Sequence, residues 1–198
     1  LGCALTTAMG IIDNEIDLKF GESLAVIGCG GIGLNLIQAA SMKNAFPIIA
    51  VDKNINKQDL SIKSNASQFI NDINDYSQGK IDVIIDTTGI PAVITDAINK
   101  LSDQGRLILV GQPAPDKFVQ ISNALNLFNG IGKTIKATQG GQTRPELDIP
   151  RYVKLYLNDR LKIDHLFTHR FPLIEVNKGF DLLRSGNAGR VIISINEK

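Results

Sequence analysis

Cysteine and histidine are scarce in this 198-residue chain, and their scarcity argues against two classes of protein. Only Cys3 and Cys29 are present, and no basic-then-apolar leader opens the sequence, so neither a disulfide framework nor a secretory signal is supported. We therefore expect a reducing, cytoplasmic setting. The two histidines, His165 and His169, belong to no H-E-x-x-H zinc-binding pattern, and we interpret both as ordinary loop or strand-edge residues.

Charge of one sign and long hydrophobic runs are also missing. The 21 lysines and arginines nearly balance the 20 aspartates and glutamates, and a net charge of +1 provides no field that would attract nucleic acid or an anionic membrane. The longest apolar runs, such as Leu24–Ile27 and residues 107–110, are strand-length pieces, far short of the roughly 18 residues that suggest a membrane span. We expect a soluble protein that binds neither nucleic acid nor membrane.

What the chain does contain is a regular alternation of apolar segments at strand and helix spacing. The predicted strands are Leu24–Ile27, Ile48–Val51, Gln68–Ile70, 83–87 and 106–110. The predicted helices between them are 31–43, 57–64 and 92–101. Because parallel strands need crossover helices on both faces, this order predicts an α/β Rossmann fold, a doubly wound parallel sheet in three α/β/α layers. The polar residues 71–80 stand where a further crossover helix is usual, so we expect that crossover to be abbreviated.

The pattern changes near Gly140 and Gly141. Amphipathic helices are predicted at 149–157 and 174–183, and a terminal strand at 191–195, which together predict a C-terminal α+β segment. A further helix pattern covers residues 6–12. Since the sequence has no initiator methionine, we expect it to be a fragment of a longer protein.

A glycine cluster between the first strand and the next helix has the G-x-G-x-x-G form. Gly28 suits a tight turn, Gly30 allows close approach of the backbone to a pyrophosphate, and Gly33 allows the helix to pack on the strand. Gly31 lies among them. The unpaired N–H groups at the helix N-terminus suit an anion. Such a hexapeptide alone is equally a plain turn, but its strand-turn-helix context predicts a dinucleotide site.

An acidic residue completes the fingerprint. Asp52 follows Gly33 by 19 residues, at the end of the second strand. A carboxylate there can accept both hydroxyls of the adenosine ribose, whereas it would repel the 2′-phosphate of NADP. The sequence therefore predicts NAD in preference to NADP.

Two later strands end in glycine-containing turns, and ligands sit outside the carboxyl ends of such strands. Thr87 and Thr88 would approach the adenosine, and Val110 and Gly111 the nicotinamide ribose. Simple strand-to-loop turns are the alternative for both pairs.

Motifs spread along the whole chain carry a family resemblance. The stretch GCALTTAMG at residues 2–10, the GCGGIG loop with Asp52, the segment 86–89, and the closing segments THRFPL and NKGFDLLRSG occur in this order. Together they resemble the zinc-dependent medium-chain alcohol dehydrogenases, with 71–80 as the one visibly shortened stretch. The resemblance implies an NAD-binding Rossmann domain at residues 7–139, with 1–6 and 140–198 as remnants of the catalytic domain, whose N-terminal part is absent.

The resemblance also implies roles for five residues. Cys3 would be one of three catalytic zinc ligands, although a lone cysteine is otherwise usually structural. Thr7 would pack on the nicotinamide and Ile32 behind its ring, with a place in the core as the alternative for each. Lys57 would lie near the adenosine ribose, or else be a solvated surface lysine. Arg190 would pair with the pyrophosphate, and its alternative is a solvent-facing residue at a strand start.

The implied activity is oxidation of an alcohol to an aldehyde or ketone by hydride transfer to NAD, with zinc bound in the full-length parent. The absent part would supply the remaining zinc ligands, so we expect these 198 residues alone to be inactive. One alternative is a stand-alone nucleotide-binding module. Another is a zinc-independent quinone reductase, but a cysteine at the ligand position, Cys3, argues against it.

The resemblance further implies a homodimer joined through the strand predicted at residues 134–138. Its alternation of Thr134, Lys136 and Thr138 against Ile135 and Ala137 is typical of an edge strand with one buried face. The alternative is a monomer whose edge is guarded by Lys133 and Lys136.

Overall fold

A six-stranded parallel sheet runs through the middle of the protein, whose computed structural model describes residues 2–195. Its strands are β1 (Leu24–Ile27), β2 (Ile48–Val51), β3 (Gln68–Ile70), β4 (Ile81–Asp86), β5 (Leu101–Leu109) and β6 (Thr134–Ala137). They lie side by side in the order β3-β2-β1-β4-β5-β6. The strand order therefore reverses between β1 and β4, and the predicted doubly wound Rossmann fold is confirmed.

Helices cover both faces of this sheet. In chain order they are α1 (Gly2–Gly10), α2 (Gly31–Met42), α3 (Gln58–Lys63), α4 (Pro91–Lys100), α5 (Pro145–Leu157) and α6 (Val176–Arg184). Alternate residues of β1 enter two different cores: Leu24 and Val26 pack in the core that contains side chains of α1 and α2, and Ala25 and Ile27 in the core that contains side chains of α4. A strand buried on both faces explains why its sequence is continuously apolar.

The connection from β3 to β4 contains no α-helix, as the polar residues 71–80 predict. A short 3-10 turn, Ile73–Asp75, stands there instead. Lys100, at the end of α4, donates from Nζ to the carbonyl oxygens of Asn74 (3.1 Å) and Tyr76 (2.8 Å), so a side chain takes over part of the hydrogen bonding that a helix would provide internally.

The boundaries of the first helix and of β5 differ from the sequence prediction. The first helix begins at Gly2 and continues into a π-helical turn, Ile11–Glu15, rather than covering 6–12. Strand β5 begins at Leu101 rather than near 106, and the start of the strand is irregular, with a shift of register between Ile81 and Val83 of β4.

The C-terminal segment forms a separate, two-stranded parallel sheet of β7 (Phe167–Pro172) and β8 (Arg190–Ser194) with α6 between its strands. The helix α5 begins at Pro145, four residues before the predicted start. His169 lies in β7, which the sequence did not reveal as a strand, and His165 lies in a 3-10 turn with its Nε2 2.9 Å from the Ser64 hydroxyl. None of the helices within residues 2–195 is long and apolar enough to span a membrane.

The strand β6 lies at the edge of the large sheet as predicted, but its burial is the reverse of the expected pattern. Ile135 and Ala137 are exposed, whereas Lys136 is half-buried and its Nζ lies 3.0 Å from the buried carboxylate of Glu15. An ion-pair partner inside the fold draws the lysine inward, which turns the apolar face of the strand outward.

Candidate dinucleotide-binding site

The glycine loop between β1 and α2 has the conformation that its spacing predicts. Gly28 has a φ of +92°, which favours glycine, and its N–H donates to the Val51 carbonyl at 2.8 Å. A Cβ on Gly33 would overlap the carbonyl oxygen of Gly28. These two glycines are therefore needed by the protein's own packing.

Gly30 differs from them, because a Cβ there would meet nothing within 4 Å. It is the N-cap residue of α2 and makes no side-chain cap hydrogen bond, so no cap side chain satisfies the first N–H groups of this twelve-residue helix. Such a helix terminus favours an anion through its unpaired donors and its dipole. A Cβ on Gly31 would lie 3.3 Å from the guanidinium of Arg190, so β8 brings this arginine beside the same loop.

Asp52 follows β2 and is tied to the glycine loop. Its Oδ2 accepts the backbone N–H of Cys29 at 2.8 Å, and its Oδ1 accepts the N–H of Asn54 at 2.9 Å. The carboxylate remains half-buried at the wall of a cavity, where its further lone pairs can accept hydroxyl groups.

That cavity has a volume of about 250 Å³ and opens at the carboxyl ends of β1, β2 and β4. Its apolar walls are Ile27, Val51, Ile73, Ile90 and Val93. Its polar groups, besides Thr88, are Asp52, Lys53, Asn71, Asp72 and Asp96. Aliphatic walls with a few polar groups suit a flat base attached to a sugar, and we name this space the adenosine cavity.

A second cavity, of about 380 Å³, lies at the carboxyl ends of β5 and β6 and includes Val110 and Gly111 in its lining. A Cβ on Gly111 would overlap the backbone of Gly89, so the loops after β4 and β5 are in direct contact. The two predicted turns therefore line two different cavities.

The two threonines after β4 differ in what they can offer a ligand. Thr87 donates its hydroxyl to the carbonyl oxygens of Ile27 and Gly28, both at 3.0 Å, which binds β4 to the glycine loop. The Thr87 hydroxyl therefore makes its hydrogen bonds within the protein. Thr88 lines the adenosine cavity and donates to Asp86 at 2.6 Å.

A buried lysine and a buried thiol lie behind the loop. Lys57 is 5% exposed and donates from Nζ to the carbonyl of Ala188, so the alternative of a solvated surface lysine is wrong. Burial lowers the pKa of Lys57, while the nearby Asp52 opposes that shift. Burial also raises the pKa of the Cys29 thiol to about 12. The sequence gives no signal for either environment, because both depend on contacts with distant residues.

Of the residues assigned to zinc and nicotinamide, Cys3 and Thr7 lie on α1 and Ile32 lies in the first turn of α2. Cys3 is exposed, Thr7 is buried, and Ile32 packs half-buried against the core. Within residues 2–195, no group of three or more His, Cys, Asp or Glu side chains is placed to hold a metal ion. The described residues therefore do not fit a complete zinc site.

The reversed strand order, the glycine loop, the open N-terminus of α2 and the acid at the end of β2 define a Rossmann-type domain of the dinucleotide-binding class. The sequence model described as "Zinc-binding dehydrogenase" matches residues 31–156, more than half of the chain. The chain belongs to this zinc-binding dehydrogenase family.

Individual relatives agree with this assignment. Alcohol dehydrogenase 1 of Solanum tuberosum is 31% identical over 209 aligned residues, which cover 100% of this chain and 54% of the relative. An alcohol dehydrogenase zinc-binding domain protein from Burkholderia ambifaria has a similar structure, with a TM-score of 0.89, 28% identity, and coverage of 100% of this chain and 55% of that one. Benzyl alcohol dehydrogenase from Acinetobacter calcoaceticus superimposes with a TM-score of 0.89 at 26% identity, over 98% of this chain and 55% of that one. The chain thus spans about half the length of the curated relatives it matches.

Proposed function

We propose that this chain is the NAD(H)-binding part of a zinc-dependent alcohol dehydrogenase that oxidises an alcohol to an aldehyde or ketone. The observation that carries the proposal is Asp52, which lies at the wall of the adenosine cavity and accepts a hydrogen bond from the glycine loop. In this proposal the acid would bind the ribose, and the glycine loop beside it would bind the phosphates. When bound, NAD supplies the hydride chemistry.

Each predicted binding residue has a part in this proposal. The backbone at Gly30 and Gly31, the N-terminus of α2 and the guanidinium of Arg190 would hold the pyrophosphate. Asp52 would accept the ribose hydroxyls, while Lys57, anchored to Ala188 behind it, contributes its positive charge to the same region. Thr88 would border the adenosine. Gly28 and Gly33 shape the loop, and Thr87 fixes it to β4.

The nicotinamide half would lie toward the second cavity. Val110 and Gly111 line that cavity, and Thr7 and Ile32 would limit where the ring can sit, so that one face is presented to the substrate. A ring held from two sides in this way would deliver hydride from one face only.

We further propose that residues 7–139 form the coenzyme-binding domain and that 1–6 and 140–198 belong to a catalytic domain with additional residues. Large apolar side chains of the C-terminal segment are strongly exposed, including Ile174 (91%), Leu157, Leu173 and Phe180. Exposure of this kind favours a surface that another part of the protein covers. In that larger protein Cys3 would be one zinc ligand, which favours the zinc enzyme over a quinone reductase.

A homodimer through β6 is part of the same proposal. Exposed apolar side chains precede and include this edge strand, at Leu125, Phe128, Ile131 and Ile135. Two identical edges can satisfy each other across a two-fold axis. The cytoplasmic setting stays a prediction from the cysteine content.

The direct test is a fluorescence titration of the purified chain with NADH and, separately, with NADPH. We expect saturable binding of NADH and weaker binding of NADPH, because the extra phosphate would meet the Asp52 carboxylate. Absence of saturable NADH binding would overturn the proposed function.

A further inference from the structure

The adenosine cavity contains a carboxylate that the protein itself does not use. Asp52 accepts two backbone N–H groups, and Asp72 accepts the N–H of Asn74 at 2.8 Å. Asp96, on α4, also lines the cavity and is half-buried, yet it has no hydrogen bond or ion pair with any residue in 2–195. A half-buried acceptor without a partner is costly unless a ligand or water completes it.

The position of Asp96 indicates which part of a bound nucleoside its side chain would contact. Val93 precedes it by one helical turn, so the two side chains lie on the same face of α4, and both line the cavity. Asp52 lies on a different wall, at the end of β2. A nucleoside with its ribose at Asp52 would therefore place its base among Ile27, Ile90 and Val93, with an edge of the base toward α4.

We propose that Asp96 is a specificity-determining residue that selects adenine by accepting a hydrogen bond from the exocyclic amino group of the base. A carboxylate is only an acceptor, so it pairs with the amino group of adenine and is repelled by the carbonyl oxygen that hypoxanthine carries at the same position. This inference rests on the proposed function, because it assigns the base end of the same NAD(H) site.

The test compares NADH with its analogue in which hypoxanthine replaces adenine, by fluorescence titration of the purified chain. The parent chain binds NADH more tightly than the analogue. Asp96→Ala weakens NADH binding by about three- to tenfold, the loss of one hydrogen bond to a partly solvated charged acceptor, and does not weaken binding of the analogue. Asp96→Asn offers an amide N–H to the hypoxanthine oxygen and tightens analogue binding.

A matched control separates hydrogen bonding from charge. Asp59 lies exposed on α3, outside the cavity, so Asp59→Ala makes the same change of net charge and leaves the affinity for both ligands unchanged. Thermal melting of each variant shows that it is folded, and the near-isosteric Asp96→Asn preserves the test if the alanine variant does not fold.

Two results would overturn the inference alone: NADH binding that is indifferent to both Asp96 variants, or an equal loss of affinity for NADH and the analogue in Asp96→Ala. If the parent chain binds neither ligand, the proposed function fails and this assignment fails with it. The two failures are therefore distinguishable.

Discussion

The carboxylate of Asp52 accepts the backbone N–H of Cys29 at 2.8 Å, so the acid after β2 and the glycine loop after β1 form a single hydrogen-bonded unit. The second oxygen accepts the N–H of Asn54. These two bonds fix the carboxylate before any ligand arrives and leave it lone pairs for two ribose hydroxyls. Preorganisation of this kind lowers the entropy lost when a ligand binds.

The first prediction concerns the charge of this acid. We expect Asp52→Asn to reduce the preference for NADH over NADPH by about tenfold, or ~1.4 kcal/mol, because the amide keeps an acceptor oxygen but no longer repels the 2′-phosphate. Asp52→Gly should reduce the preference further. Fluorescence titrations with both coenzymes measure the ratio of the two affinities. If neither variant changes this ratio, Asp52 does not contact the ribose.

The second prediction uses two glycines of the same loop. Gly30 has an extended backbone and open space around it, so Gly30→Val should fold, with a loss of stability of at most about 1 kcal/mol at the N-cap, and yet bind NADH poorly because its side chain fills the space for the pyrophosphate. Gly33→Val should instead unfold the domain or destabilise it by more than about 3 kcal/mol, because its side chain would overlap the Gly28 carbonyl.

Circular dichroism melts and NADH titrations of these two variants distinguish the roles. If Gly30→Val binds NADH as the parent does, the loop does not hold a phosphate. If Gly33→Val melts like the parent, the helix does not pack on the loop as closely as the structure indicates.

The sequence predicts the bounds of three strands, of which β1 and β2 are fully buried and β3 is a half-buried edge strand. The bounds of β1, β2 and β3 match the prediction, because short apolar runs end at turn-forming residues. The strand β7 was missed, since its half-exposed sequence contains Thr168, His169 and Arg170 and lacks a clear apolar alternation. Its formation depends on β8, which follows only after α6.

Some residues of the candidate site could likewise be predicted before the structure was known, and others could not. The glycine loop and Asp52 could be predicted because their spacing reflects general requirements for holding a pyrophosphate and a ribose, whereas Arg190 is expected only from the family resemblance. Asn71 follows β3 directly, so the rule that ligands sit at the carboxyl ends of strands could have found it. Asp96 lies within a helix, and nothing in its local sequence separates it from a solvated residue.

The third prediction follows from the buried thiol. Because burial raises the pKa of Cys29 from 9.0 to about 12, the thiol contributes stability that is fully present below pH about 9 and is lost as pH rises toward 12. Between pH 8 and 10 the parent should lose about 1.4 kcal/mol more unfolding free energy than Cys29→Ala does. Urea unfolding at the two pH values measures this difference, with Cys3→Ala, which removes the exposed thiol, as the control. Equal losses in the parent and Cys29→Ala would show that Cys29 titrates normally.

The fourth prediction concerns activity. Cys3 is exposed, and no group of three or more metal-binding side chains is assembled within residues 2–195, so the purified chain should not oxidise alcohols even with zinc added. An absorbance assay for NADH formation with a panel of alcohols tests this. Turnover of about 1 s⁻¹ or more, with about one equivalent of zinc bound, would contradict the expectation that the remaining ligands come from elsewhere.

Lys133 and Lys136, the two lysines that could keep another strand from pairing with the β6 edge, both bind partners within the chain. Lys136 pairs with the buried Glu15, and Lys133 donates from Nζ to the Leu101 carbonyl at 2.9 Å. The edge therefore lacks the protruding charges that would keep a second strand away. The exposed side chain of Ile131 (87%) precedes the strand and adds an apolar surface beside it.

The last prediction is that this edge joins two copies of the chain. The N–H of Thr138 donates to Leu109 of β5, so alternation along the strand turns the N–H of Ile135 outward, to the open edge. Ile135→Pro should remove that donor without breaking the pairing of β5 with β6, and should dissociate the dimer, whereas Ile135→Val keeps the donor and serves as the control. Light scattering at micromolar concentration should give about twice 21.5 kDa for the parent and Ile135→Val, and 21.5 kDa for Ile135→Pro. A parent mass of 21.5 kDa would reject the dimer, and a dimer that survives Ile135→Pro would place the interface away from β6.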